Sequence, residues 1–135
     1  MTHIVRRTCL AFAAGSAGGL INSLAVWSFG LWGVTSKLGV NIAPTLTPAW
    51  LYPRIVWGGI WGFLFLFPTI TRSYFKRGLV FSLGPSLVQL FYIFPFKAGK
   101  GLMGFQLGEL TPLFVLFYNA LWGLAAAYLY KRTQS

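Results

Sequence analysis

Acidic residues are almost absent from this sequence. Glu109 is the only acid in 135 residues, and no aspartate occurs. This excludes the paired carboxylates of glycoside hydrolysis and the serine–histidine–aspartate triad. His3, the only histidine, lies in the N-terminal tail, so the clustered ligands of a metal site are missing as well. We therefore expect a protein that is not an enzyme and that holds no metal or other cofactor.

Cysteine is equally scarce. Cys9 is the only one, so a disulfide within the chain is excluded. It follows Arg6 and Arg7 at the start of an apolar run, an arrangement that resembles a signal peptide. The uncharged stretch, residues 8–36, is however much longer than the roughly 7–15 residues of a signal h-region. We expect a retained helix in which Cys9 is buried as a small apolar side chain.

Charged residues of either sign are few. They make up 9% of the chain and hydrophobic residues make up 56%, whereas soluble domains carry about 25% charged residues. A small soluble domain keeps too much surface to hide so many apolar side chains. The composition predicts one transmembrane domain over residues 1–135, with the lipid bilayer as its main partner.

Four apolar runs are each long enough to cross a bilayer. They are residues 9–34, 50–70, 79–96 and 111–130. A span needs about 20 apolar residues. Backbone polar groups in lipid must pair within the segment, and strand-like alternation is missing, so the spans are helical. The sequence predicts an all-α membrane protein with four transmembrane helices.

The basic residues predict an orientation for these helices. They account for a net charge of +10 and divide between the two sides of the membrane. One side holds Arg6, Arg7, Arg72, Lys76, Arg77, Lys131 and Arg132, and the other holds only Lys37, Lys97 and Lys100. The more basic side is expected in the cytoplasm, together with both termini, where it would contact anionic lipid head groups. Basic residues dispersed in this way do not predict nucleic-acid binding.

An internal repeat is the most informative pattern. The stretch from Gly39 through Leu-Thr-Pro at residues 46–48 matches the stretch from Gly104 through Leu-Thr-Pro at residues 110–112. Arg54 then falls opposite Asn119, and Asn22 falls opposite Gln89 with a two-residue offset. Two spans per unit predict two parallel two-helix repeats, about residues 9–70 and 79–130, related by an axis along the membrane normal.

The segments that precede the Leu-Thr-Pro sequences are unusual for loops. Thr47 and Thr111 are predicted N-caps, each followed by a proline suited to the first helical position. Residues 38–49 and 101–110 are apolar and rich in glycine or proline. Such segments are either re-entrant, lining protein or a wet cavity, or they lie on the outer surface.

Small residues recur at helical spacing. Gly15 and Gly19 lie one turn apart, as do Gly58 and Gly62, and Gly123 begins a similar row. This spacing lets membrane helices approach closely. The rows predict packing within one bundle, or a face for a homo-oligomer or a partner membrane subunit.

Arg54 and Glu109 are the two charges that need an explanation. A charge within a span is costly and often functional. Arg54 either snorkels to the head groups, binds an anion, or pairs with Glu109 across the two repeats. We take the ion pair as the working hypothesis.

Three amides lie within the predicted spans, namely Asn22, Gln89 and Asn119. Membrane amides usually bond across helices. The alternative is a polar path for a solute through the bundle.

Two function classes follow from these patterns. The first is a non-catalytic structural or assembly subunit of a membrane complex, which an outward small-residue face would favour. The second is a small oligomeric channel or transporter for a neutral or anionic solute, which internal polarity at Asn22 and Gln89 would favour. Residues 46–54 and 94–101 resemble segments of small bacterial membrane proteins, cyanobacterial ones among them. The resemblance implies a bacterial cytoplasmic (inner) membrane or a thylakoid membrane.

Overall fold

The computed structural model describes residues 2–67 and 73–133, and this part of the chain is helical without strands. The α-helices are α1 (Thr2–Leu31), α2 (Val34–Lys37), α3 (Pro48–Gly62), α4 (Tyr74–Val88) and α5 (Thr111–Thr133). A 3-10 turn, Phe63–Leu66, extends α3, and a π-helical segment, Gln89–Lys97, extends α4. A second 3-10 segment, Leu102–Leu107, precedes α5. Arg72 and the end of the predicted run 50–70 lie outside the described residues.

In the described part of the chain, three helical segments are long and apolar enough to cross a membrane. They are His3–Leu31, Tyr74–Lys97 and Thr111–Thr133. The prediction of an all-helical membrane protein is confirmed at this level. The second predicted span corresponds to α3 and its 3-10 extension, and α3 alone has 15 residues, which is shorter than a full span.

Glycine contacts hold the helices together in pairs. Helix α1 packs on α3 and on α5, and α5 packs on α4. A Cβ added at Gly58 would lie 2.8 Å from the carbonyl oxygen of Gly15 and 2.9 Å from Cα of Gly19, so α1 and α3 touch backbone to backbone. A Cβ at Gly78 of α4 would likewise lie 2.6 Å from the carbonyl oxygen of Gly123 on α5. The small-residue rows therefore pack helices of the same chain.

One end of the bundle carries the start of α1 and the end of α5, and we call it the termini end. Its core contains Phe65, Trp122 and Tyr130. Arg77, at the start of α4, donates from Nη2 to the carbonyl oxygen of Phe65 at 2.9 Å. Arg7 of α1 donates to the hydroxyl of Tyr130 on α5 at 3.4 Å. The described basic residues that were expected on the cytoplasmic side thus belong to helix ends that meet at the termini end.

The opposite end, which we call the loop end, is covered by the two apolar segments. The N–H of Asn41 donates to the carbonyl oxygen of Leu107 at 2.7 Å. Gly108, with φ 150°, comes into backbone contact with Gly39. Val40 is 1% exposed and packs in a cluster of the loop end. Both segments therefore fold onto the helix ends and onto each other.

Of the two predicted helix caps, the structure contains one. Thr47 accepts a hydrogen bond from the N–H of Trp50 at 3.2 Å, which confirms the first. The prediction for Thr111 is wrong: it lies within α5, and its hydroxyl has no partner among the described residues. The N–H of Phe114, which a cap at Thr111 would bind, donates instead to the carbonyl oxygen of Leu110 at 3.2 Å.

Cys9 also differs from its expected environment. We expected a buried side chain, but Cys9 is exposed on the surface of the chain. Its neighbours Ala11 and Ala14 occupy the face of α1 that packs in the core. Cys9 lies on another face of the helix, because successive residues are rotated by about 100°.

The glycine contact between α1 and α3 gives a first test. We expect Gly58→Ala to lower the free energy of unfolding by about 1–3 kcal/mol, because the added methyl meets rigid backbone. The matched control is Ala13→Val, which adds methyl groups to an exposed position of α1. Thermal unfolding in detergent measures both. Equal midpoints for the two variants would contradict the contact.

Candidate functional site

Arg54 points into the bundle from α3. Its Nε donates to the hydroxyl of Ser23 at 2.9 Å, and its Nη2 donates to Oδ1 of Asn22 at 2.7 Å. The guanidinium also lies over the ring of Trp50, 4.7 Å from the ring centroid. The side chain is therefore held against α1 rather than extended along the surface toward the loop end.

The charge of Arg54 fixes how the neighbouring amide is oriented. A guanidinium can only donate hydrogen bonds, so Asn22 must present its oxygen to it. The amide nitrogen of Asn22 then donates to the carbonyl oxygen of Tyr118 at 2.7 Å and to Oδ1 of Asn119 at 3.3 Å. The interaction thus passes from α3 through α1 to α5.

Asn119 accepts from Asn22 and donates in turn to residues of α4 and its extension. Its Nδ2 donates to the hydroxyl of Ser86 at 3.1 Å and to Oε1 of Gln89 at 3.5 Å. Ser86 in turn donates to the carbonyl oxygen of Ser82 at 2.8 Å. The hydrogen bonds from Arg54 to Gln89 form one network across the four longest helical segments, which we call the polar network.

The groups that the polar network leaves free are donors. A guanidinium has five N–H groups, and Arg54 uses two, for Ser23 and Asn22, so three lack a partner among the described residues. Gln89 accepts a hydrogen bond through its side-chain oxygen, so within the described part of the chain its amide N–H groups are free to donate to a ligand. A site that offers free donors and one positive charge suits an anion or an acceptor-rich group.

Two cavities meet at the polar network. The first, of about 410 Å³, lies toward the loop end and is called the loop-end cavity. The second, of about 440 Å³, lies between α3 and the α4 extension and is called the lateral cleft. Both are lined by the same four polar residues, Asn22, Arg54, Gln89 and Asn119.

The lateral cleft exists because α3 and α4 meet only near the termini end. There, a Cβ at Gly84 of α4 would lie 3.2 Å from the ring of Trp61 on α3. Toward the loop end the cleft separates the two helices. Its edges carry exposed aromatic side chains, Trp57 at 59% and Tyr92 at 54%.

The structure does not bring Glu109 to Arg54. Glu109 is exposed in the turn before α5, whereas Arg54 is bonded to α1. Within residues 2–67 and 73–133, the hypothesised ion pair is not formed. Side-chain oxygens of Ser23 and Asn22 solvate the guanidinium instead.

The predicted amides come together, with Asn119 as the link. Asn22 and Gln89, which the repeat placed opposite each other, both bond Asn119. Ser23 and Ser86 are site residues that sequence reasoning did not assign to the site. The signal was available, because Gly78, Ser82 and Ser86 repeat the four-residue spacing of Gly15, Gly19 and Ser23.

Comparison with protein-family models, with curated proteins and with solved structures found no match. Among the described residues, no group of three or more histidine, cysteine or acidic side chains could hold a metal ion. The polar network and its two cavities are therefore the basis for a functional proposal.

Disrupting the polar network at Asn22 gives a second test. We expect Asn22→Leu to lower the free energy of unfolding by about 1–3 kcal/mol, because it leaves a partly buried, charged donor of Arg54 unpaired and removes the bonds from Asn22 to α5. Asn41→Leu is the matched control, since Asn41 is exposed and its side chain makes no hydrogen bond in the described part of the chain. Chemical denaturation in detergent measures both, and an unchanged Asn22→Leu would contradict the network.

Glu109 gives the opposite expectation. Because this carboxylate is exposed and forms no ion pair within residues 2–67 and 73–133, we expect Glu109→Gln to leave the thermal midpoint unchanged, as is usual for surface substitutions. A clear loss of stability in Glu109→Gln, matched by Arg54→Gln and not additive with it, would restore the ion pair between the two residues.

Proposed function

We propose that this chain is a non-catalytic, multi-pass membrane protein that binds an anionic solute at Arg54 and mediates its passive movement. The observation that carries the proposal is a guanidinium inside the bundle, with a cavity on either side, whose remaining N–H groups have no carboxylate or other partner among the described residues. An isolated charge in the membrane interior is costly. An anion at this position would offset that cost.

Depth within the bundle supports the proposal. The stretch of α3 from Pro48 to Arg54 is about 9 Å long, and the stretch of α5 from Thr111 to Asn119 is about 12 Å long. In a hydrocarbon core of about 30 Å, a group at this depth is away from the head groups. The polar network would then be the polar part of the chain that a solute meets inside the membrane.

The membrane arrangement we propose has four spans. Helix α3 with its 3-10 extension, Pro48–Gly62 and Phe63–Leu66, is the fourth, since it runs antiparallel along α1. The described basic residues Arg6, Arg7, Lys76, Arg77, Lys131 and Arg132 support cytoplasmic termini. The resemblance of residues 46–54 and 94–101 to small bacterial membrane proteins implies a bacterial inner membrane or a thylakoid membrane.

A duplication would account for the paired contacts. Gly58 and Arg54 on α3 contact Gly15 and Ser23 on α1. The corresponding residues on α5, Gly123 and Asn119, contact Gly78 and Ser86 on α4. In this register Ser23 matches Ser86, one turn away from the register suggested by Asn22 and Gln89. We propose two parallel two-helix repeats on this basis.

A structural subunit of a larger complex is less well supported. That hypothesis drew on small-residue rows, and Gly15, Gly19, Gly58 and Gly62 are occupied by contacts between α1 and α3. Asn22 and Gln89, by contrast, line both cavities that meet at the polar network. Homo-oligomerisation stays a prediction.

Anion binding is tested with methanesulfonate, a permanently charged probe, against dimethyl sulfone, a neutral analogue of similar shape. We expect methanesulfonate to raise the thermal midpoint of the wild type, with about 2.7 kcal/mol of stabilisation at 100 times Kd. Dimethyl sulfone should have a much smaller effect. Arg54→Gln should lose the response, and Arg54→Lys should keep part of it, because lysine keeps the charge but not the planar fork.

Lys100→Gln is the matched control, because it removes a basic residue of the loop end that is exposed and outside both cavities. It should respond like the wild type. An equal response of wild type and Arg54→Gln would overturn the anion site. Efflux of methanesulfonate from liposomes, present with wild type and lost with Arg54→Gln, tests passive movement separately.

A further inference from the structure

We propose that the anionic solute is a single-chain amphiphile, a long-chain carboxylate. Its head group binds the free N–H groups of Arg54, and its alkyl chain lies in the lateral cleft between α3 and the α4 extension. This inference rests on the proposed role of Arg54 as an anion site, and it adds the chemical class of the ligand.

The shape of the interior favours an amphiphile over a small inorganic ion. On the side of the polar network that faces the termini end, the indole of Trp122 donates to the carbonyl oxygens of Gly15 at 3.1 Å and Gly58 at 3.3 Å. Trp122 is 3% exposed and fills the space between α1, α3 and α5. The space around Arg54 therefore extends toward the loop end and sideways between α3 and α4, while a packed tryptophan lies toward the termini end.

The chemistry of the lateral cleft suits an alkyl chain. Between Arg54 and its outer edges it is lined by Pro53, Trp57, Val88, Tyr92 and Ile93, whose side chains are mostly apolar. Its volume of about 440 Å³ lies within the range of about 300–1,000 Å³ that is common for ligand pockets. An apolar chain placed there would leave water and gain contact with these side chains.

Charge complementarity identifies the head group. Arg54 is the charged residue of the polar network, and the free groups around it are N–H donors. Lys97, at the edge of the lateral cleft, adds a second positive charge. The only acid of the chain, Glu109, lines neither cavity. A carboxylate can accept two hydrogen bonds side by side from a guanidinium, which an alcohol cannot do.

The experiment measures palmitate binding to the full chain in maltoside detergent by native mass spectrometry, with hexadecanol as the uncharged ligand of equal chain length. We expect one palmitate per chain, bound at least about tenfold more tightly than hexadecanol. Val88→Trp places a bulky ring in the lateral cleft and leaves every side chain of the polar network unchanged in identity. It should weaken palmitate binding by about tenfold or more. It should keep the stabilisation by methanesulfonate.

Val80→Trp is the matched control, because Val80 lies on the same helix, is exposed and does not line the lateral cleft. It should bind palmitate like the wild type. Equal palmitate binding by Val88→Trp and Val80→Trp would contradict the placement of the alkyl chain in the lateral cleft. Equal binding of palmitate and hexadecanol would overturn the role of charge.

The two proposals fail in different ways. If methanesulfonate stabilises the wild type through Arg54 and palmitate does not bind, the amphiphile is wrong and the anion site stands. If Arg54→Gln changes neither the stabilisation by methanesulfonate nor the binding of palmitate, the anion site itself is wrong. If Arg54→Gln fails to fold, its thermal unfolding will show this. Two other single variants then test the proposals: Arg54→Lys tests the anion site, and Val88→Trp tests the lateral cleft.

Discussion

The positive charge of Arg54 is the constraint on which the interior depends. The chain has a single acid, and that acid is exposed at the loop end. The guanidinium is therefore solvated by neutral oxygens of Ser23 and Asn22. Burying a charge without an ionic partner is costly, and each neutral hydrogen bond offsets only part of that cost.

Arg54 determines which atoms donate and which accept in the hydrogen bonds of the neighbouring helices. Because Asn22 must offer its oxygen to Arg54, its nitrogen must find acceptors on α5, and Asn119 must then donate toward α4. One charge on α3 thereby determines which atoms remain free at Gln89. The electrostatics of both cavities follow from this single residue.

Glycine contacts make this arrangement geometrically possible. A Cβ at Gly19 would lie 2.9 Å from the backbone oxygen of Arg54, so the helix carrying the arginine rests directly on α1. At this separation the guanidinium reaches Ser23 and Asn22 at hydrogen-bond distance. Packing of small residues, which in lipid gains van der Waals contact and no hydrophobic burial, thus also positions the site.

Much of the fold was predictable, because lipid imposes strong local rules. Apolar runs predicted the helices, and a threonine before a proline predicted the cap at Thr47. The amides of the site were predictable for the same reason, since polar residues within apolar runs are few. Thr111 and the pairing of Glu109 were not, because both depend on how the loop-end segments fold. Those segments are apolar, but their backbone contacts, such as Asn41 with Leu107, follow no periodic pattern in the sequence.

The position of Trp122 decides what kind of ligand is compatible with the site. Its indole bridges carbonyl oxygens on α1 and α3 one turn beyond the polar network. Its acceptors are the carbonyl oxygens of Gly15 and Gly58, which also lie at the glycine contact between α1 and α3. The close packing that positions Arg54 therefore also positions the indole ring. A ligand of Arg54 therefore has the loop-end cavity on one side and the lateral cleft on the other. A molecule with one polar end and one apolar end matches both surroundings at once.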